Sequence, residues 1–341
     1  MKVNRRPPWL DHLGMIAAAA LVAYAVAAAG AVLSALRSGH ALDVSLLAQW
    51  PVESLACWYV PVLLAIFALE IAVGGWHDSP AWRVLHGTSP SHRTDVFYLA
   101  TELLALGPMM AAVATIGLST ALDAVLTAPR AWQPAADLPL WLAVPLFIIV
   151  EPFFTYWSHR LMHTPLMWPL HAVHHAADDL TAISTTRHHP GDTLVCTGIS
   201  GVPAALFGFP PDAVFYALVA MATATTLLHT RVPVPAWIEK YIVAGPRAHG
   251  IHHSRDAADH DTNFCLLPIY DRVFGTWRWH ERPVAFGAGD ARFDTGRPLH
   301  DIVGVYVIWI DGLCRAARHL ARKQPISSNR RTCAGSLSRR A

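Results

Sequence analysis

Residues 158–179 read SHRLMHTPLMWPLHAVHHAADD and contain five histidines, His159, His163, His171, His174 and His175. The first two are four residues apart, and the last three are spaced i, i+3 and i+4. On a helix, residues three and four apart share one face, with Cβ atoms about 5–6 Å apart. Each group is therefore predicted to aim its imidazoles at one point.

The composition surrounding this stretch is typical of a membrane protein. The chain has 341 residues, of which 53% are hydrophobic and 15% charged, and its mean hydropathy is +0.33. Soluble domains carry about 25% charged residues. Apolar runs that approach the roughly 20 residues of a bilayer span lie at residues 12–36, 55–76, 96–118 and 138–157. The first is too long, and lacks the cleavage site, for a signal peptide.

The short flanks of these runs predict their orientation, because Lys and Arg collect on the cytoplasmic side. Lys2, Arg5 and Arg6 precede the first run, and many basic residues follow the fourth. We expect four crossings, with the N-terminus, the histidine-rich region and the C-terminus all cytoplasmic. Residues 315–341 are basic without Asp or Glu. They are interpreted as a solvated tail in preference to an anchor on anionic headgroups.

Further histidines extend the pattern along the chain. Twelve of the 20 histidines lie between His159 and His260. HGIHH repeats the i, i+3, i+4 spacing at His249, His252 and His253. His229 ends an apolar helix, where an unpartnered imidazole is costly. One of the pair His188 and His189, in RHHP, is an additional candidate ligand.

About ten clustered imidazoles exceed what one metal binds, since zinc takes four ligands, or three and a water. The number favours two metals, but imidazole suits zinc, copper, iron and nickel alike. The apolar setting predicts a membrane lipid as substrate. Oxidation of an unactivated C–H bond would require a redox metal, because no side chain performs it. A zinc hydrolase and a metal transporter remain alternatives, although transporters bind their ions within the spans.

The ordered motifs resemble the fatty acid hydroxylase / sterol desaturase superfamily over residues 138–277. YWSHRLMH, WPLHAVHH, GPRAHGIHHS and DTNFCLLPIYDRVFGTW are similar to its histidine boxes and closing segment. TRHHP resembles its R-x-HP element and points to His189, and FGFPP resembles its hairpin turn. Cys265 and Arg231 depart from the family pattern, where Gly and Asn are expected.

The resemblance implies an all-α membrane bundle of about four transmembrane helices and a hairpin, with a cytoplasmic helical cap. It implies two iron ions, O2 as co-substrate and an external electron donor such as a cytochrome or ferredoxin. Hydroxylation of a fatty acyl or sterol C–H bond is expected, with desaturation as the alternative, and no nucleic-acid partner. The predicted ligands are His159, His163, His171, His174, His175, His189, His229, His249, His252 and His253.

The sequence also offers residues that could hold the metal-binding histidines in place, and it indicates the limits of the domains. Metal-bound histidines usually give their second N–H to a carboxylate or a carbonyl. Glu151, Tyr156, Asp261 and Asn263 are the predicted supporting groups, and the other carboxylates near enough in sequence to serve are Asp178, Asp179, Asp192 and Asp259. We expect N-terminal transmembrane helices at residues 1–137, a catalytic domain at 138–285, and an amphipathic helix with a basic tail at 286–341.

Overall fold

The computed structural model describes residues 7–20, 52–104 and 133–323. Side chains are described for residues 7–20, 58–104 and 133–319. Residues 8–20 are helical, and the other α-helices are listed in chain order. They are α1 Val52–Gly74, α2 Pro80–Leu85, α3 Ser91–Leu103, α4 Leu140–Met162, α5 Trp168–His175, α6 Pro190–Ser200, α7 Val202–Phe207, α8 Pro211–Leu228, α9 Ala236–Tyr241, α10 Pro246–His252, α11 Pro268–Val273 and α12 Pro298–Lys323. Short 3₁₀ helices lie at Ala182–Thr186 and Ala291–Phe293. The described part of the chain contains no strand, which confirms the all-α prediction.

Two of these helices, α4 and α8, are long and apolar enough to cross a membrane. The apolar part of α1, Trp58–Gly74, is shorter. The predicted run 96–118 begins inside α3, which ends at Leu103, and its remainder lies outside the described residues, as does most of run 12–36. The number of crossings therefore stays a prediction.

Helix α4 forms the axis against which α6, α7 and α8 pack. The rings of Phe147 and Phe209 meet edge to face with centroids 5.1 Å apart. The turn before α8 requires Gly208, whose φ is +70° and whose missing Cβ would lie 2.7 Å from the Gln133 side chain. This turn sends α8 back toward the end of α4 where the histidines begin.

A second core joins the histidine helix α5 to α12. Met162, Leu170, Val173, Val305 and Trp309 are its central buried side chains. Burying a large apolar side chain contributes about 1.5–3 kcal/mol. This core therefore fixes the position of α5 firmly against the end of α4.

The fully buried Arg187 ties the helices around α5 together. Its Nε donates to the Val173 carbonyl at 2.7 Å, and its guanidinium pairs with Asp95 at 3.1 Å and Asp294 at 2.7 Å. A buried cation is tolerated when it is paired and hydrogen-bonded in this way. Arg187 thus links α3, α5 and the segment before α12 directly behind the histidines.

Candidate metal centre

Nine buried or partly buried histidines converge in two groups at the end of α4. Cluster A contains His159, His163, His171, His175 and His252. Cluster B contains His174, His229, His249 and His253. Within each cluster, one nitrogen from every ring lies within 4.8 Å of all the others.

The spacing in the sequence explains this convergence. His159 lies in the last turn of α4 and His163 is its C-cap. Helix α5 carries three histidines, of which His171 and His175 face cluster A while His174 faces cluster B. Helix α10 likewise divides its histidines between the clusters. The two clusters adjoin, because the rings of His175 and His253 stack with centroids 4.3 Å apart.

The rings of cluster A are held from behind through their Nδ1 atoms. His159 donates to the Phe264 carbonyl and His252 to the Thr262 carbonyl, both at 2.7 Å. His171 donates to Asp192 at 3.2 Å. These bonds fix the tautomer and leave the opposite nitrogen with a lone pair. The Nε2 atoms of His159, His171, His175 and His252 are buried without a hydrogen-bond partner.

The carbonyls of Thr262 and Phe264 belong to a loop, residues 261–265, whose backbone geometry is unusual. We call it the anchoring loop. Asp261 and Asn263 have φ values of 57° and 53°, which few residues other than glycine adopt. The Asn263 amide donates to the carbonyls of Ala248 and Arg278, both at 2.9 Å. Asp271 accepts from the backbone N–H groups of Phe264 and Cys265 at 2.8 and 3.0 Å. Burial raises the pKa of Asp271 to about 6.

Cluster B is arranged differently. The Nε2 atom of His249 lies 3.1 Å from that of His229 and 3.0 Å from that of His253. The His229 Nδ1 contacts the Thr185 hydroxyl at 3.0 Å and the Thr225 carbonyl at 3.1 Å. His174 donates to the Arg187 carbonyl at 3.3 Å. The Nε2 of His249 is therefore the central nitrogen, with one neighbouring ring nitrogen on each of two other histidines at short range.

Burial keeps these rings neutral. It lowers the pKa of His174, His175, His249 and His253 well below the usual value, and neighbouring histidines lower it further. Burial also lowers the pKa of His252 to about 3. Neutral imidazole is the form that binds metal.

His189, a predicted ligand, lies outside both clusters. It is the N-cap of α6, where its Nδ1 accepts from the Gly191 N–H at 3.1 Å and its Nε2 donates to the Ile302 carbonyl at 3.1 Å. Both ring nitrogens are thus used in the fold. The structure therefore does not bring His189 together with the clustered rings.

His188 is the member of this pair that reaches the centre. Its ring stacks on His174 with centroids 4.6 Å apart, and its Nδ1 lies 2.6 Å from Asp192. Burial alone would raise the pKa of Asp192, but His171 and His188 hold that pKa well below its usual range. The ionised carboxylate therefore connects cluster A to His188.

The predicted supporting residues take different places. Asp261 lies 3.6 Å from the Nδ1 of His163, and Asn263 holds the anchoring loop. The Tyr156 hydroxyl contacts Thr276 at 3.1 Å, and Thr276 donates to Asp271, so Tyr156 supports the loop indirectly. Glu151 bonds to Thr155 and Ser200, which joins α4 to α6 away from the rings.

Sequence reasoning missed Asp271 and Thr185. Asp271 acts on the loop at Phe264 and Cys265, and Thr185 acts through a tertiary contact with His229. The NFCLLPIYD spacing of the closing segment was the available signal for Asp271.

The residues fit bound metal. Buried nitrogens without partners are rare in folded proteins and call for a ligand. Two nitrogens that bind one ion at about 2.0–2.1 Å lie roughly 3 Å apart, as the Nε2 atoms of cluster B do. The fold and the site together define a helical protein with membrane-length helices and two adjoining all-histidine clusters that could each hold a metal ion.

Comparison with known proteins agrees with this class. Residues 144–276 match the family described as Fatty acid hydroxylase. An ornithine lipid hydroxylase from Rhizobium tropici is 32% identical over 153 residues, covering 44% of this chain and 46% of the relative. A Δ7-sterol 5(6)-desaturase from Gibberella zeae is 28% identical, covering 40% and 38%. Methylsterol monooxygenase 2-2 from Arabidopsis thaliana is 26% identical, covering 42% and 57%.

The family match covers the segment that contains both clusters. Residues 144–276 are therefore similar to the Fatty acid hydroxylase family, and the matching relatives are named as a lipid hydroxylase, a sterol desaturase and a sterol monooxygenase. The chain spans less than half the length of the first two relatives. No solved structure is significantly similar to the chain.

Proposed function

We propose that the chain is a membrane-bound, O2-dependent di-iron hydroxylase of a lipid C–H bond. The observation that carries the proposal is the pair of adjoining, largely buried histidine clusters at one end of a membrane-length helix. Relatives named as a lipid hydroxylase, a sterol desaturase and a sterol monooxygenase support the reaction class.

Iron is favoured over zinc by the number of ligands. Cluster A offers five imidazoles, whereas zinc sites in proteins are usually four-coordinate. Five nitrogens and one open position suit a six-coordinate ion, and imidazole binds iron well. When bound, the two irons would supply the redox chemistry with O2 that side chains lack. A zinc hydrolase is less well supported by this ligand set.

The chain's own groups would hold and orient this centre. The carbonyls of Thr262 and Phe264 and the carboxylate of Asp192 fix the rings of cluster A, with Nε2 directed inward. His163, with its Nδ1 beside Asp261, and His175 complete cluster A, and His174, His229, His249 and His253 would form the second site. His188 takes the place that the sequence assigned to His189.

The substrate is proposed to arrive from the bilayer. One side of α4 exposes large apolar residues, including Trp141 at 76% and Ile149 at 56%. This side suits acyl chains, and it leads along α4 toward His159. A fatty acyl, sterol or related lipid is therefore proposed, with the four-span topology and cytoplasmic cap expected from the sequence.

Hydroxylation with O2 consumes two electrons beyond those taken from the substrate. We therefore propose a separate reductant, such as a cytochrome or a ferredoxin with its reductase. The proposed limits of the catalytic domain remain 138–285, which enclose the matched residues 144–276.

Lipid mass spectrometry tests the proposed function. Cells with and without the chain are supplied with ¹⁸O2, and their total lipids are compared. Hydroxylation predicts a lipid that gains one ¹⁸O atom only in cells that express the chain. A loss of two hydrogens without oxygen would identify the alternative, a desaturase. Hydrolysis products without O2 consumption would contradict both.

A further inference from the structure

Helices α9 and α11 together present an exposed apolar surface beside the metal centre. Its members are exposed by between 54% and 69%: Trp237, Tyr241, Ile242, Ile269 and Val273. We call this surface the α9–α11 face. Large exposed apolar patches mark sites of contact with a partner or a membrane.

The acidic residues of these two helices point into the protein. Glu239 is 3% exposed and accepts from the Ala248 N–H at 2.9 Å. Asp271 is fully buried and accepts from backbone N–H groups of the anchoring loop. Neither carboxylate contributes negative charge to the α9–α11 face.

The charges around this face are positive. Arg272 lies over the rings of Tyr241 and Trp277, at 5.0 and 4.8 Å from their centroids. Lys240 lies 4.7 Å from the Trp279 centroid. Cations attract anionic lipid headgroups, and Trp and Tyr concentrate at membrane interfaces. The face therefore has the composition of a surface that lies in a lipid interface.

The same face continues onto α4. The Tyr270 hydroxyl donates to the Ile149 carbonyl at 2.5 Å, and Phe153 packs 6.0 Å from the Tyr270 ring. Ile149 and Phe153 are themselves exposed, by 56% and 38%. Ile149 precedes the end of α4 by thirteen residues, or about 20 Å at 1.5 Å per residue. The exposed apolar side of α4 and the α9–α11 face thus form one surface.

We propose that the α9–α11 face is seated in the bilayer, next to α4. Its apolar side chains lie at the boundary of headgroups and acyl chains, while Lys240 and Arg272 reach the headgroups of anionic lipids. Clusters A and B then lie at the membrane surface, next to helices that are partly embedded in the bilayer. The proposal rests on the proposed function only in that α4 must span the membrane. A second copy of the chain fits less well, because a symmetric contact would place Arg272 and Lys240 against the same cations of the other copy.

Spin labels measure this placement directly. Nitroxides are attached at Ile269→Cys and Val273→Cys in the full chain, in a background whose label-reactive native cysteines are serine. The protein is reconstituted in phosphatidylcholine–phosphatidylglycerol vesicles, and collision rates with O2 and with a water-soluble nickel chelate are measured. Ile149→Cys gives the lipid reference, and the exposed Glu281→Cys gives the water reference.

The proposal predicts O2-to-nickel ratios at 269 and 273 close to that at 149 and several-fold above that at 281. Ratios at 269 and 273 that match position 281, while 149 remains lipid-like, would overturn it and leave the proposed function intact. A water-like ratio at 149 would instead remove the membrane span on which the proposed function depends. Spin–spin broadening between copies at 273 would identify a dimer interface and also overturn the proposal.

Discussion

Clusters A and B contain the same kind of side chain but differ in what holds the rings. In cluster A, three Nδ1 atoms donate to the Phe264 and Thr262 carbonyls and to the Asp192 carboxylate. In cluster B, the Nε2 of His249 lies 3.0–3.1 Å from the Nε2 atoms of His253 and His229, and the His229 Nδ1 contacts the Thr185 hydroxyl and the Thr225 carbonyl. Cluster A is therefore pre-organised by the loop that contains Thr262 and Phe264 and by Asp192, whereas cluster B depends more on its ion for its geometry.

The largest effect is expected when either cluster loses a ligand. His252→Ala in cluster A and His249→Ala in cluster B should each reduce lipid oxidation by more than about 100-fold, since ligand loss exceeds the 10–100-fold cost of losing a supporting group. His300→Ala is the control, because its side chain is 70% exposed and outside both clusters. Product formation per folded protein is the measurement. Full turnover in either cluster variant would show that one cluster suffices.

A change in the anchoring loop tests whether cluster A is held in place independently of cluster B. Asp271→Asn removes one carboxylate oxygen that accepts from the loop, so the carbonyls behind His159 and His252 should shift. We expect cluster A to bind metal about 10–100-fold more weakly, with cluster B little changed. Competition with a chelator measures both affinities. Equal weakening of the two clusters would contradict separate anchoring.

The matched change in cluster B should be smaller. Thr185→Val removes the hydroxyl that contacts His229 but keeps the shape of the side chain. The Thr225 carbonyl still accepts from that ring, so we expect less than about a 10-fold loss of metal affinity in cluster B. A loss as large as that from Asp271→Asn would mean that cluster B is anchored as firmly as cluster A.

His188 and His189 provide a neighbouring pair with opposite expectations. His188→Ala removes the ring stacked on His174 and should lower metal retention in dialysis. His189→Ala removes hydrogen bonds to Gly191 and Ile302, which costs stability by about 1 kcal/mol per bond, but should leave the metal count unchanged. The reverse outcome would restore the assignment that the sequence made.

Acid should weaken the metal-free protein modestly. Folding lowers the pKa values of five buried histidines. The unfolded chain therefore binds more protons below about pH 6.5, and the free energy of unfolding decreases as the pH falls. Asp271, whose pKa rises to about 6, acts in the opposite direction, because a raised carboxyl pKa favours the folded state as pH falls. His188, Asp95 and Glu239 also have raised pKa values and act in the same direction as Asp271. His229 and His189 add to the opposing group, because burial lowers the pKa of each to about 4, so the lowered histidines are the larger set. The melting temperature in detergent with chelator should therefore drop between pH 7 and pH 5; a rise would contradict neutral rings.

The sequence predicted those features that depend on local spacing. Nine of the ten predicted histidines lie in the clusters, because i, i+3, i+4 patterns on α5 and α10 determine which ring faces which side. His189 lies outside the clusters, and RHHP alone does not reveal that Pro190 begins a helix and that His189 caps it. Asp271 and Thr185 escaped notice since neither belongs to a histidine motif. Asp271 bonds to backbone N–H groups six and seven residues before it, and Thr185 contacts His229, 44 residues further along the chain.

The metal content of the purified chain tests the central claim most directly. Elemental mass spectrometry of protein expressed with iron should give about two irons per wild-type chain. His252→Ala and His249→Ala should each retain about one, because each change damages one cluster. One metal in the wild type, or zinc in preference to iron, or loss of both metals from each variant would contradict two separate iron sites built from clusters A and B.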